Sequence, residues 1–284
     1  NQLAVTGALT LAPNGTGAVT IVNAVGLNLA ASTMGGTFSG TATNGHITQS
    51  GALTITGAAT FITATTSKNI ILDQNNAFAS SVTMKAGTGG SDAFNNITFV
   101  DTNGVDLVSS TPSAGDLFID ASTDLDVDGA LSITATTGNI TQGSELAVGT
   151  TSTFTTSAIN GTITLNDVDN TFTGAVALNT NGSSGNATIK DKAADLLLAE
   201  SSVGGALIAT ATAGNITQNG ELTITGTSTL VTGADNATIT LNDGGNTFTG
   251  KLLITTNDNN SPEDDTYAAH VIIDGGTTNL KIGL

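Results

Sequence analysis

The chain has 284 residues, with 23 Asp or Glu set against six Lys and no Arg, and a formal net charge of −17. A surface of this kind has no cationic patch to displace phosphate counterions and repels anionic lipid headgroups, so nucleic acid and membrane insertion are excluded as expected partners. Cys is absent, which removes disulfides and thiolate metal sites, and no apolar run approaches the ~20 residues that cross a bilayer.

In chain order, the stretch from Gly7, GALTLAPNGTGAVTI, resembles GAVALNTNGSSGNATI from Gly174. LNLAASTMGGTFSGTATNGHITQ from Leu27 then matches LLLAESSVGGALIATATAGNITQ from Leu196, at an offset of 169. A phrase written three times follows: NGHITQSGAL at Asn44, TGNITQGSEL at Thr137 and AGNITQNGEL at Ala213. Its anchors Ile47, Ile140 and Ile216 lie 93 and 76 residues apart, and each carries apolar neighbours at fixed offsets. These are Leu53, Leu146 and Leu222, then Ile70, Ile163 and Ile239, then Leu72, Leu165 and Leu241. A second phrase starts at that last set: LDQNNAF, LNDVDNTFTG and LNDGGNTFTG. Between Ile140–Leu178 and Ile216–Ile254, 22 of 39 positions are identical. One structural unit is therefore duplicated, with units at about 44–136, 137–212 and 213–284, the last incomplete, after a partial unit 1–43. Both ends read as interior repeat with no divergent cap, and no secretion signal opens the chain.

Within a unit, runs of three to six residues alternate apolar residues with Thr (LTIT, TITL, TFTG, VTM) between Gly, Asn, Asp and Ser. Period two is a strand signature, and the intervening residues suit tight turns. DKAADLLLAE, from Asp191, has a helical look, but its repeat partner NAVGLNLAAS has Gly and Asn instead and sets it as strand and turn. The expected fold is all-β, a single continuous parallel β-helix (β-solenoid) over 1–284, right-handed, with about three short strands per coil. A unit of 76 residues divides into three coils of about 25 or four of 19; the 17 extra residues of the first unit fall between Asn103 and Leu131. Eleven to fifteen coils are expected, at roughly 4.8 Å each. Ile47, Leu53, Ile140, Leu146, Ile163, Leu165, Ile216, Leu222, Ile239 and Leu241 are the expected inward ladders.

The chemistry-bearing residues are few. His46 stands where Asn139 and Asn215 stand in the other phrases, and His270 has no partner motif. No catalytic residue is nominated. DLDVD places Asp124, Asp126 and Asp128 on one side of a strand, which suits either a solvated face or glycoside hydrolysis. NDNNSPEDDTY, from Asn257, offers oxygen ligands for Ca²⁺, with Asp258, Glu263, Asp264 and Asp265 as candidates, although EF-hand spacing is missing. Asn75, Asn166 and Asn242 are expected to form a ladder of turn amides. Thr-x-Thr pairs such as Thr54 and Thr56, or Thr153 and Thr155, would suit an ice-binding face only if they recurred at one register.

Apolar-Thr units joined by Gly and Asn turns, with GNITQ and LNDVDNTFTG recurring, resemble the repeat shafts of filamentous-haemagglutinin-type exoproteins and β-strand-repeat bacterial adhesins. The resemblance covers essentially the whole chain. It implies an extracellular right-handed parallel β-helix acting as a fibre or adhesin stalk at the cell surface. The expected partners are the chain itself or adjoining repeats, head to tail, and host or environmental glycans. A carbohydrate-binding or carbohydrate-cleaving β-helix is the alternative.

Overall fold

Runs that alternate apolar residues with Thr can bury one side and leave the other wet, provided that each run pairs with a like run. The computed structural model of the chain describes residues 2–86, 94–103, 105–107, 116–119, 125–193, 195–257 and 269–283. Among the described residues there are strands and turns but no helix. The fold is an all-β parallel β-solenoid of about ten turns. That is fewer than the eleven to fifteen expected, because some turns take up many more residues than the 19 to 25 assumed. The chain forms two compact units, residues 1–149 and 150–284.

Three strands make one turn in each unit. In the first, Leu27–Leu29, Ser32–Met34 and Phe38–Ala42 are overlaid in parallel by Ile47–Gln49, Leu53–Ile55 and Ala59–Thr63. In the second, Leu207–Ala211, Ile216–Gln218 and Leu222–Ile224 are overlaid by Ser228–Asp235, Ile239–Leu241 and Thr247–Phe248. Leu196–Leu198, within the stretch of helical appearance, is also a strand. All ten residues named above as inward ladders are buried, at 0% or 1% exposure. Beside them the rings of Phe38, Phe61, Phe78 and Phe99 follow one another in a column, tilted, edge-on and stacked in turn, with centroids 5.4, 6.1 and 5.5 Å apart. Each such pair adds roughly 1 kcal/mol beyond its area burial.

The repeat is not a whole number of turns. In the second unit Ala187, Leu207 and Ser228 overlie Ile163 one turn at a time. The repeat partner of Ile163, Ile239, then comes eleven residues beyond Ser228, on the next side, stacked on Ile216. The first unit behaves alike: Ile70, Ile97 and Leu131 overlie Ile47, and Ile140 lies nine residues further, in the column of Val105. A unit is therefore three turns plus one side, and neither three coils of 25 nor four of 19 holds. Turns in the second unit take only 20 to 24 residues, so three of them fall short of 76 by about one strand and its corner.

The extra residues of the first unit also find their place. Fourteen of the 17 lie in the turn from Ile97 to Leu131, compared with the turn from Ala187 to Leu207, and three lie between Ile70 and Ile97. Within the longer turn, Asp116–Ile119 pairs with both Val82–Ala86 and Val105–Leu107, so strand order across this sheet departs from chain order.

Candidate functional site

The two recurring phrases meet inside the solenoid. Gln49, at the end of the strand Ile47–Gln49, donates from Nε2 to Asn76 Oδ1 at 2.8 Å, and Asn76 Nδ2 donates back to Gln49 Oε1 at 3.0 Å. Asn76 Oδ1 also accepts the Leu53 N–H at 2.9 Å, while Nδ2 reaches the carbonyls of Leu72 and Val100. In the second unit Gln218 and Asn246 repeat the pair, both bonds being 2.9 Å, and Asn246 likewise binds Leu222 N–H and the carbonyls of Leu241 and Asp274. One buried amide thus clasps three successive turns.

Local chain geometry puts it there. In Ile70–Phe78 the alternation breaks at Asp73, Gln74 and Asn75, which are all exposed, and resumes with Asn76 inside; the register shifts at the same place. The expected ladder of Asn75, Asn166 and Asn242 is therefore corrected. All three are exposed at the corner, and Asn76, Asn170 and Asn246 are the buried set. The corner itself is turned by Asp167 and Asp243, whose Oδ1 atoms accept the N–H groups of Asp169 and Gly245 at 2.9 Å. The signal was present in the sequence. Gln recurs two residues after each Ile anchor, and Asn recurs two residues before each Phe of the second phrase.

Other inward polar side chains do the same work elsewhere. Ser32 and Ser201 accept the N–H of Leu11 and Leu178 and donate to Ala30 and Ala199 carbonyls. Asn23 accepts the Val5 N–H at 3.0 Å and donates to the carbonyls of Val5 and Gly26, both at 2.7 Å. Its repeat partner is Asp191, fully buried, whose Oδ1 accepts the N–H groups of Phe172 and Ala193 at 3.1 and 2.9 Å while Oδ2 has no partner. Asp101 closes its strand in the same way, with Oδ1 on the Phe78 N–H and Oδ2 unpartnered. Burial raises both carboxyls above the ordinary range, against the lowering effect of nearby backbone N–H groups and, at Asp101, of the Asn103 side chain.

At an outer corner His46 Nδ1 accepts the Asn69 N–H at 2.9 Å. Asn215, its repeat partner, accepts the Thr238 N–H at 2.7 Å through Oδ1. An imidazole and an amide both supply the one acceptor the corner needs, so His46 fills a structural role here. His270 is exposed.

Asp126 and Asp128 are both exposed on one side of a strand. The Asp126 carboxyl is raised by partial burial and then by the like charge of Asp128. Asp124 and the Ca²⁺ candidates Asp258, Glu263, Asp264 and Asp265 lie outside the described residues. Among the described residues no three His, Asp or Glu side chains are grouped to hold a metal ion. The Thr rows break after a turn or two: Ala77 overlies Thr54, Ala177 overlies Thr153 and Ile272 overlies Thr240. Shallow grooves also occur among the described residues. One, of about 400 Å³, lies in the first unit beside Asn28 and His46. Another, of about 380 Å³, lies in the second unit beside Phe172 and Asp195.

A family described as Repeats of unknown function (DUF5649) matches three times, over residues 16–85, 114–179 and 184–255. The chain belongs to this family. No curated protein and no solved structure matches it.

Proposed function

We propose that this chain is a structural segment of an extracellular fibre or adhesin stalk at the cell surface, without catalytic activity, that extends by stacking of like coils. The observation that supports this most is the recurrent Gln–Asn clasp. The recurrent Gln and Asn bond turns to one another, with the Asn wholly buried and the Gln half-buried beside it. Mechanical continuity is what such bonding provides.

A glycan partner fits less well. Among the described residues the Phe side chains are buried, so the wet faces described carry Thr, Ser and Asn without a Phe or Tyr ring on which a sugar could stack. The test is antibody labelling of intact cells together with imaging of the native protein. Surface labelling on elongated particles is expected, and labelling only after lysis, or compact isolated particles, would overturn the reading.

A further inference from the structure

The inward residue that closes a strand is Ala or Thr in many turns, as at Ala42, Thr63, Ala135 and Ala211, but Asn at Asn23 and a buried carboxyl at Asp101 and Asp191. Asn23 shows how a polar side chain is satisfied in that place: it accepts a backbone N–H on one side and donates to carbonyls on the other, which its amide supplies together. A carboxylate supplies the first and lacks the second. Asp191 accepts two N–H groups through Oδ1 and leaves Oδ2 buried with nothing to donate, and Asp101 likewise leaves Oδ2 alone. A single proton on Oδ2 would restore the donor that Asn23 Nδ2 provides. We propose that Asp101 and Asp191 make this solenoid tighten on acidification, each binding one solvent proton on Oδ2 and so completing a corner that is incomplete at neutral pH.

The charged surroundings agree. Around Asp191, the paired strands Ile163–Leu165 and Leu207–Ala211 carry no charge. The adjoining turn brings the like charge of Asp195, which opposes ionisation of Asp191. Lys192 is held outside by Asp169 at 2.6 Å, and Lys190 is half-buried on the outward side of the strand. Around Asp101, Leu131–Ala135 is uncharged, and Asp73 of Ile70–Phe78 is exposed. Among the described residues no cation acts on either carboxyl. Folding therefore favours the protonated form. The contribution to stability is complete below the ordinary Asp range and is lost as pH rises through the raised value of the folded state.

The experiment is thermal unfolding of the whole chain at about pH 7.5 and about pH 4, for the parent, Asp191→Asn and Asp101→Asn. A control with Asp73→Asn and Asp274→Asn removes equal charge at exposed sites. Each buried variant is expected to melt about 3 °C higher at the neutral pH and level with the parent at the acid pH. A gain that is the same at both pH values, or a loss at neutral pH, would overturn the proposal. Asn23→Asp serves as the converse, expected to melt lower at neutral pH and to recover in acid. Titration of the Asp191 carboxyl carbon by NMR decides independently, and a midpoint in the ordinary Asp range refutes it.

Discussion

Removing one amide should loosen three turns at once. Asn246 is 1% exposed, and its side chain takes part in five hydrogen bonds, to Gln218 twice, Leu222, Leu241 and Asp274. In Asn246→Ala the losses are unequal. The Leu241 carbonyl keeps the Asp274 N–H at 2.8 Å, and Gln218, half-buried, keeps its bond to the Gly220 carbonyl and can meet water. The Leu222 N–H has no other partner of this kind and is left buried, at a cost of about 1–3 kcal/mol, with about 1 kcal/mol more for the bonds that water replaces imperfectly. A total of about 3 kcal/mol follows. Because a solenoid opens locally rather than all at once, the suitable assay is native-state hydrogen exchange, in which the Leu222 amide should exchange roughly a hundredfold faster. Gln218→Ala combined with Asn246→Ala should show a coupling of about 1 kcal/mol. Exchange at Leu222 within a factor of two of the parent, with no coupling, would refute the clasp as a source of stability.

Other outcomes follow from the same geometry. Gly226→Ala should destabilise the second unit, because a Cβ there would stand 2.5 Å from the Gly205 carbonyl carbon of the turn below; urea unfolding reads it. Phe61→Ala, within the ring column, should cost about 3–5 kcal/mol by the same measurement. His46→Asn should leave the melting temperature unchanged, since Asn215 does the same work, whereas His46→Ala should lower it slightly. Replacing Asp124, Asp126 and Asp128 together by Asn should change no activity on a polysaccharide panel; loss of a cleavage activity present in the parent would favour the carbohydrate reading. Single Asp126→Asn should raise stability at neutral pH and not in acid, because burial and Asp128 both raise the carboxyl it removes.

The sequence by itself determined the inside of this protein. Alternation of period two names the buried face of each run, and recurrence names which runs are alike, so the ladders of Ile47, Ile163, Ile216 and their kin were legible without coordinates. Those quantities are local, set by side-chain direction along a strand. Where the runs stack is not local. Ile163 and Ile239 are the same residue of the same phrase, yet they stand in different columns, because corner lengths decide how far the chain has travelled round the axis when a phrase recurs. A repeat length of 76 is equally compatible with several such paths, and only register settled on three turns and one side. The clasp was hidden for a related reason. Asn75 and Asn76 are neighbours of one type, and which of them turns inward depends on a break in the pleat that pairing with the adjacent turns imposes. Burial of Asp101 and Asp191 was likewise a matter of tertiary structure. A lone Asp after an alternating run reads as the first residue of a wet turn, and it becomes an interior carboxyl only because another turn lies on top of it.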